Sequence, residues 1–306
     1  MTEITAAMVK ELRETTGAGM LDCKKALTEN AGNMENAIDW LRKKGLASAA
    51  KKASRIAAEG LVSVAVEGNK GAVVEYWEDK GAIIRNYGGA SLIQEFVEDA
   101  AQVALMYNGE LEAMKGFTCP KVGKAFGERL TDMIAKIGEN MNLRRAKVLS
   151  VKDGVVASYV HSAARPGLGK IGVLVALESP ADKAKLQELG KHIAMHIAAS
   201  NPLFHTIADV APEALEREKA IFSEQAAASG KPANIIEKMV EGRIRKYYEE
   251  VVLEEQAYIM DPDKKVKEII ADAEKELGAP IKMTGYACFK LGDGLQKKEE
   301  DFAAEV

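Results

Sequence analysis

Cysteine is scarce in this sequence, and the few that occur form no pattern. Cys23, Cys119 and Cys288 are odd in number and widely spaced. Without a Cys-x-x-Cys pair, neither a disulfide framework nor a zinc site is indicated, and the composition suits a reducing cytoplasm. No run of about 18 apolar residues is present, so no membrane span is expected. The N-terminus lacks the charged-then-apolar pattern of a secretory leader, and a cytoplasmic location is the expectation. Charge of one sign is not in excess. The net charge of −4 argues against nucleic acid as the main partner and leaves only local basic patches for that role.

Catalytic signatures are missing too. There is no Walker A sequence, nucleophile elbow or Ser-His-Asp order. Gly167-Leu168-Gly169-Lys170-Ile171-Gly172 matches GxGxxG, but it follows Pro166 and leads into a β-rich run. A dinucleotide fingerprint must follow a strand and open a helix, so a glycine-rich hairpin loop is the better reading. His192 and His196 have metal-ligand spacing, yet Ile193 stands where a zincin carries Glu, and apolar residues surround the pair. Packing and hydrogen-bonding roles are expected for them. No metal, cofactor, direct nucleotide binding or bond chemistry is expected.

What is present is enough apolar material, 47% of 306 residues, for a substantial core and more than one domain. The most informative stretch is TTGAGMLDCKKAL, from Thr15 to Leu27. Gly17-Ala18-Gly19 breaks one helical pattern, and Met20 and Leu21 open the next. Met20, Cys23, Ala26 and Leu27 recur at helical spacing as an apolar face, with Lys24 and Lys25 off it. Two large apolar side chains beside a turn make a recognition tip. The competing reading is that they close a small core. Met8, Val9 and Leu12 form a helix before the turn. Met34, Ala37, Ile38 and Leu41 form one after it, with Gly32 ending the middle helix and Asn33 capping the next.

Beyond Leu41 runs an Ala- and Lys-rich, helix-prone tether, KKGLASAAKKASRIAAEG. Residues 61–75 then alternate as a β-hairpin. Helices are expected near Leu92–Tyr107 and Arg129–Ile137, with GFTCPKVGK between them as a loop. Residues 143–151 and 154–160 form strands, as does the run Ile171–Leu177, and a helix contains Lys191–Ser200. Hairpin and helix thus occur twice, which indicates two related α+β subdomains. Two polar helices joined at residues 229–232 read as a projecting hairpin. A helix at 264–277 and a strand at 281–291 return to the core.

VKELRETTGAGMLDCKKAL, AKIGENMNLRRAKVL, GKIGVLVALES, KHIAMHIAASNP, KPANIIEKMVEGRIRKYYEE and EDFAAEV closely resemble segments of bacterial elongation factor Ts. The resemblance spans nearly the whole chain. It implies an α+β fold with an N-terminal three-helix, ubiquitin-associated-like module, a core of two related α+β subdomains and a projecting antiparallel helical hairpin. The implied division is 1–45 (docking module), 46–60 (tether), 61–140 and 141–211 (core halves), 212–263 (helical hairpin) and 264–306 (closing helix and strand). It also implies a partner, the GTPase elongation factor Tu, from which family members accelerate GDP release. Position by position, Met20, Leu21, Lys24, Ile137, Gly138, His161, Ile259 and Met260 match the family's contact residues for that GTPase.

One stretch, residues 76–91, does not resemble the family. Where members carry Thr-Asp-Phe-Val, whose Asp-Phe pair pushes toward the nucleotide's magnesium, this chain has Lys80, Gly81, Ala82 and Ile83. Tyr76-Trp77 and Glu78-Asp79 lie close by in the reverse order, and Trp77 is the one side chain able to substitute if the loop folds back. Three readings follow: an exchange factor, with attenuation by the altered stretch left open; a homologue that binds elongation factor Tu without efficient exchange, or binds something else through the altered stretch; and an RNA-binding protein that uses the basic tether, whose binding would fall steeply with salt.

Overall fold

The computed structural model describes residues 4–16, 18–52, 59–79, 90–120, 122–228 and 230–294. Lys80, Gly81, Ala82 and Ile83 lie outside them.

Three helices open the chain: α1 (Ala6–Thr16), α2 (Met20–Glu29) and α3 (Met34–Lys52). Leu12, Cys23, Ala26, Leu27 and Ala37 are fully buried between them, flanked by Met8, Val9, Ile38 and Leu41. The α2–α3 corner follows from its residues. Gly32, at φ +80°, donates its N–H to the Leu27 carbonyl, and the Asn33 side chain accepts from the Asn36 N–H to start α3.

The expected tether at residue 46 is not a break. Residues 46–52 continue α3, as their alanine content favours, and residues 59–60 already belong to the first strand. Lys44 pairs with Asp22 and lies over the Trp40 ring, so it is not a free basic group. The side chains of Lys51, Lys52 and Arg55, on which the RNA reading leans, lie outside the described residues.

The core is two sheets face to face. β1 (Glu59–Glu67) and β2 (Lys70–Glu78) form a hairpin whose turn uses Gly68 at φ +56°. Next come α4 (Ala90–Met106), α5 (Leu111–Lys115) and the small ribbon β3 (Thr118–Cys119) with β4 (Lys124–Ala125), in a segment expected to be loop. α6 (Phe126–Ile137) leads into β5 (Met141–Ser150). β5 pairs antiparallel with β2, from Glu78–Met141 to Lys70–Ser150. The expected boundary at residue 141 therefore disagrees with the strand pairing, because this strand completes the first half.

The second half repeats the plan. β6 (Gly154–His161) and β8 (Ile171–Glu178) pair, α7 (Lys183–Ser200) follows, and β11 (Lys282–Lys290) returns beside β8. Strand orders β5-β2-β1 and β11-β8-β6 are the same arrangement. The repeat is hairpin, helix and returning strand. β7 (Leu168–Gly169) crosses from the second half to pair with β1, and so carries the GxGxxG stretch into sheet structure and on into β8.

Side-chain alternation explains the layers. Ala72, Val74 and Tyr76 of β2 pack with Ile93, Phe96 and Val97 of α4. Val173, Val175 and Leu177 of β8 pack with Leu186, Ile193 and Ile197 of α7. The alternate residues, Val62, Val73, Val156, Leu174, Ala176 and Phe289, meet between the sheets. The result is helix, sheet, sheet, helix. Gly172 lets the sheets approach, since a Cβ there would lie 2.6 Å from Val62 Cγ1.

An insertion follows α7. α8 (Pro212–Ala227), with proline at its first turn, and α9 (Ala233–Val251) form the helical hairpin, and α9 has no buried residue. β9 (Ala257–Tyr258) and β10 (Asp261–Lys265) form a ribbon before α10 (Val266–Leu277). No described helix is long and apolar enough to cross a membrane.

Candidate docking sites for a protein partner

Met20 and Leu21 occupy the first turn of α2, 60% and 84% exposed. The core-closing reading fails here. Cys23, Ala26 and Leu27 turn inward, but Met20, expected on their face, lies one turn short of the module's core. The turn beneath the tip is tied on both sides. The Thr16 hydroxyl donates to the Leu12 carbonyl at 2.6 Å and accepts from the Ala18 N–H, while the Cys23 thiol contacts the Ala18 carbonyl at 3.7 Å. Burial raises the Cys23 pKa and keeps it a neutral thiol. Lys24 is exposed beside the tip.

Ile137 and Gly138 sit where α6 ends. Ile137 is half-buried against the first core. Gly138 adopts φ +88° and closes the helix through its N–H to the Ile134 carbonyl, at 3.0 Å. The next residues reach the end of β2: Asn140 N–H donates to Asp79 Oδ1 at 3.1 Å, and Asp79 N–H donates to the Asn140 carbonyl at 3.2 Å. Asp79, just past β2 in the stretch that departs from the family, thus lies close to Ile137 and Gly138 in the fold, a proximity that periodicity does not reveal.

Tyr76 and Trp77 are not in a loop. Both belong to β2 and are buried. Trp77 Nε1–H donates to Glu75 Oε1 at 2.7 Å, and its ring lies 4.1 Å from the Arg144 guanidinium. Glu75, fully buried, also accepts from Arg144 at 3.0 Å, from Arg145 and from the Gly292 N–H. The expectation that Trp77 could swing out as a substitute wedge is overturned, because strand pairing and this ion network hold it. Burial and the neighbouring Glu78 push the Tyr76 hydroxyl strongly up, so it stays protonated.

His161 ends β6 on an exposed corner, with its Nδ1 3.1 Å from the Tyr159 hydroxyl, and Ser162 after it takes φ +53°. Ile259 and Met260 form the turn of the β9–β10 ribbon, 42% and 46% exposed. That ribbon has no sequence signal: Asp261-Pro262-Asp263-Lys264-Lys265 contains neither alternation nor β-branched residues. Below it, His196 is buried with both ring nitrogens engaged, one by Gln256 and one by the Ile259 N–H, so it is not poised with His192 for a metal.

The four sites stand on four separate elements. Between the segment at residues 205–209, α10 and the start of β11 lies an open cleft of about 480 Å³. Several of its charged side chains have partners: Lys267 meets Glu255 at 2.5 Å and Asp209 accepts from Thr206, while His205 Nε2 lies 3.6 Å from Glu254. Among the described residues no group of three or more His, Cys, Asp or Glu side chains could hold a metal.

The family profile described as "Elongation factor TS" matches residues 90–293, so the match begins within the last two residues of the divergent stretch. Elongation factor Ts of Rhodospirillum rubrum is 57% identical over 307 residues, covering 100% of this chain and 98% of the relative. That of Paramagnetospirillum magneticum is 57% identical, covering 100% and 97%. The Rhizobium etli protein of the same name is 55% identical, covering 100% and 98%. With likeness of this extent, and with the repeated half-core and helical hairpin the resemblance implies, the chain belongs to the elongation factor Ts family.

Proposed function

We propose that the chain is a guanine-nucleotide exchange factor of translation elongation, acting in the cytoplasm, which binds elongation factor Tu carrying GDP and promotes GDP release. The observation that carries this is exposure. Of ten large hydrophobic side chains exposed among the described residues, four are Met20, Leu21, Ile259 and Met260, at positions the family resemblance assigns to the GTPase interface. Apolar side chains at separate tips, with Lys24 and His161 at the polar margins, suit a broad protein partner rather than a small ligand. Ile137 and Gly138 add a third contact at the corner of α6. Membrane association, direct nucleotide binding and nucleic acid play no part in this reading.

The chain makes and breaks no bond in this scheme. A protein that binds the empty GTPase more tightly than the GDP-bound form weakens GDP binding by the same factor. Exchange is attenuated here, because Lys80, Gly81, Ala82 and Ile83 supply neither the acid nor the aromatic of the family's wedge, and Trp77 is locked in β2. Calorimetric titration of nucleotide-free and GDP-bound elongation factor Tu tests the proposal. Tighter binding to the empty form is expected, and equal affinity for both would exclude exchange by this mechanism.

A further inference from the structure

Ile259 and Met260 are held from underneath, each by a different buried side chain. The Ile259 N–H donates to His196 Nδ1 at 3.2 Å. The Tyr258 hydroxyl donates to Met260 Sδ at 3.3 Å. Tyr258 is itself buried, and its ring centroid lies 5.8 Å from that of His196.

The hydrogen-bond chain fixes the protonation of His196. Gln256 Nε2 donates to the Glu250 carbonyl at 2.8 Å, which leaves Gln256 Oε1 as an acceptor facing His196 Nε2 at 2.9 Å. His196 Nε2 must therefore carry the proton, and Nδ1 is bare to accept from Ile259. Burial lowers the imidazole pKa and supports the neutral ring. One side chain of α7 thus joins the second core to the end of α9 and to the turn that displays the apolar pair.

We propose that His196, with Tyr258, is a positioning residue for the Ile259–Met260 tip, presetting it for the partner GTPase. The proposal rests on the docking reading above. An exposed two-residue turn on so short a ribbon would otherwise lose conformational freedom on binding, and holding it beforehand reduces that cost.

Three variants separate positioning from simple stability. In His196→Asn the amide oxygen replaces Nδ1 as acceptor for Ile259. In His196→Gln the amide reaches toward Gln256 and the Ile259 acceptor is lost. Tyr258→Phe removes only the contact with Met260. Dissociation from nucleotide-free elongation factor Tu is followed by stopped flow, and amide exchange at Ile259 by mass spectrometry or NMR. His196→Gln and Tyr258→Phe are expected to dissociate about three- to tenfold faster, the scale of one lost hydrogen bond. His196→Asn is expected to keep most of the wild-type rate, and only His196→Gln should expose the Ile259 amide. Wild-type dissociation rates in a folded His196→Gln protein would overturn the proposal. Should that variant fail to fold, an unchanged rate in Tyr258→Phe overturns it instead. Absence of any wild-type complex would be seen first, and would remove the docking reading and this inference together.

Discussion

Met20 and Leu21 hold most of their surface in solvent while Cys23, one turn on, is fully buried. Their apolar character was legible in the sequence. Their exposure was only one of two readings, because helical spacing puts Met20 on the same face as Cys23 and cannot show that the core ends below it. Replacing both by Ala should weaken the complex with elongation factor Tu by about 1–3 kcal/mol, as expected of interface anchors. Calorimetry alongside a thermal melt checks this, and the melting point should hardly move, since neither side chain supports the core. His196 makes the opposite case. Its burial and its two partners come from Gln256 and Ile259, some sixty residues away, beyond the reach of local pattern. Its folded pKa is lowered from 6.5, so the unfolded chain takes up a proton first as pH falls. The stability this group contributes is full above about pH 6.5 and declines below it. Tyr258, the titratable ring against it, has its pKa raised by burial and stays neutral throughout. Melting points taken from about pH 8 to about pH 5 should fall less steeply for His196→Asn than for wild type.

At the scale of elements, long periodic segments were legible and short or shared ones were not. α4, α6 and α7 show in their apolar spacing. β3, β4, β9 and β10 do not, because they are brief and depend on tertiary contacts rather than local propensity. β5 is legible as a strand but its partner is not, since pairing is a long-range property and the hairpin-like spacing to β6 points to the second half. β2 is longer than its alternation suggests, because both its faces are buried and Tyr76 to Glu78 remain in register with Leu143 to Met141. Gly172→Ala should cost about 1–3 kcal/mol, by forcing a methyl into the space between sheets. Denaturant unfolding measures it. The connection from β2 to α4 supplies a second test. The combined variant Lys80→Thr, Gly81→Asp, Ala82→Phe and Ile83→Val should raise the maximal rate of GDP release with little change in affinity. Equal maximal rates for the variant and the wild type would show that the wedge is not what this chain lacks.

For the whole molecule, the proposed docking residues stand on separate corners: the start of α2 in the N-terminal module, the end of α6, the end of β6 and the turn of β9–β10. Family membership was legible from long matching runs. The relation among the corners was not, because it arises from sheet stacking that no single segment encodes. A dispersed set of contacts can bind both states of a GTPase, and only the difference between those affinities drives exchange. The most direct test is stopped-flow release of a fluorescent GDP from elongation factor Tu, against unlabelled nucleotide, over rising concentrations of this protein. Release should accelerate and then saturate, at a maximal rate below that of a relative with an intact Thr-Asp-Phe-Val. A release rate that stays at its spontaneous value while the complex forms would contradict exchange activity outright.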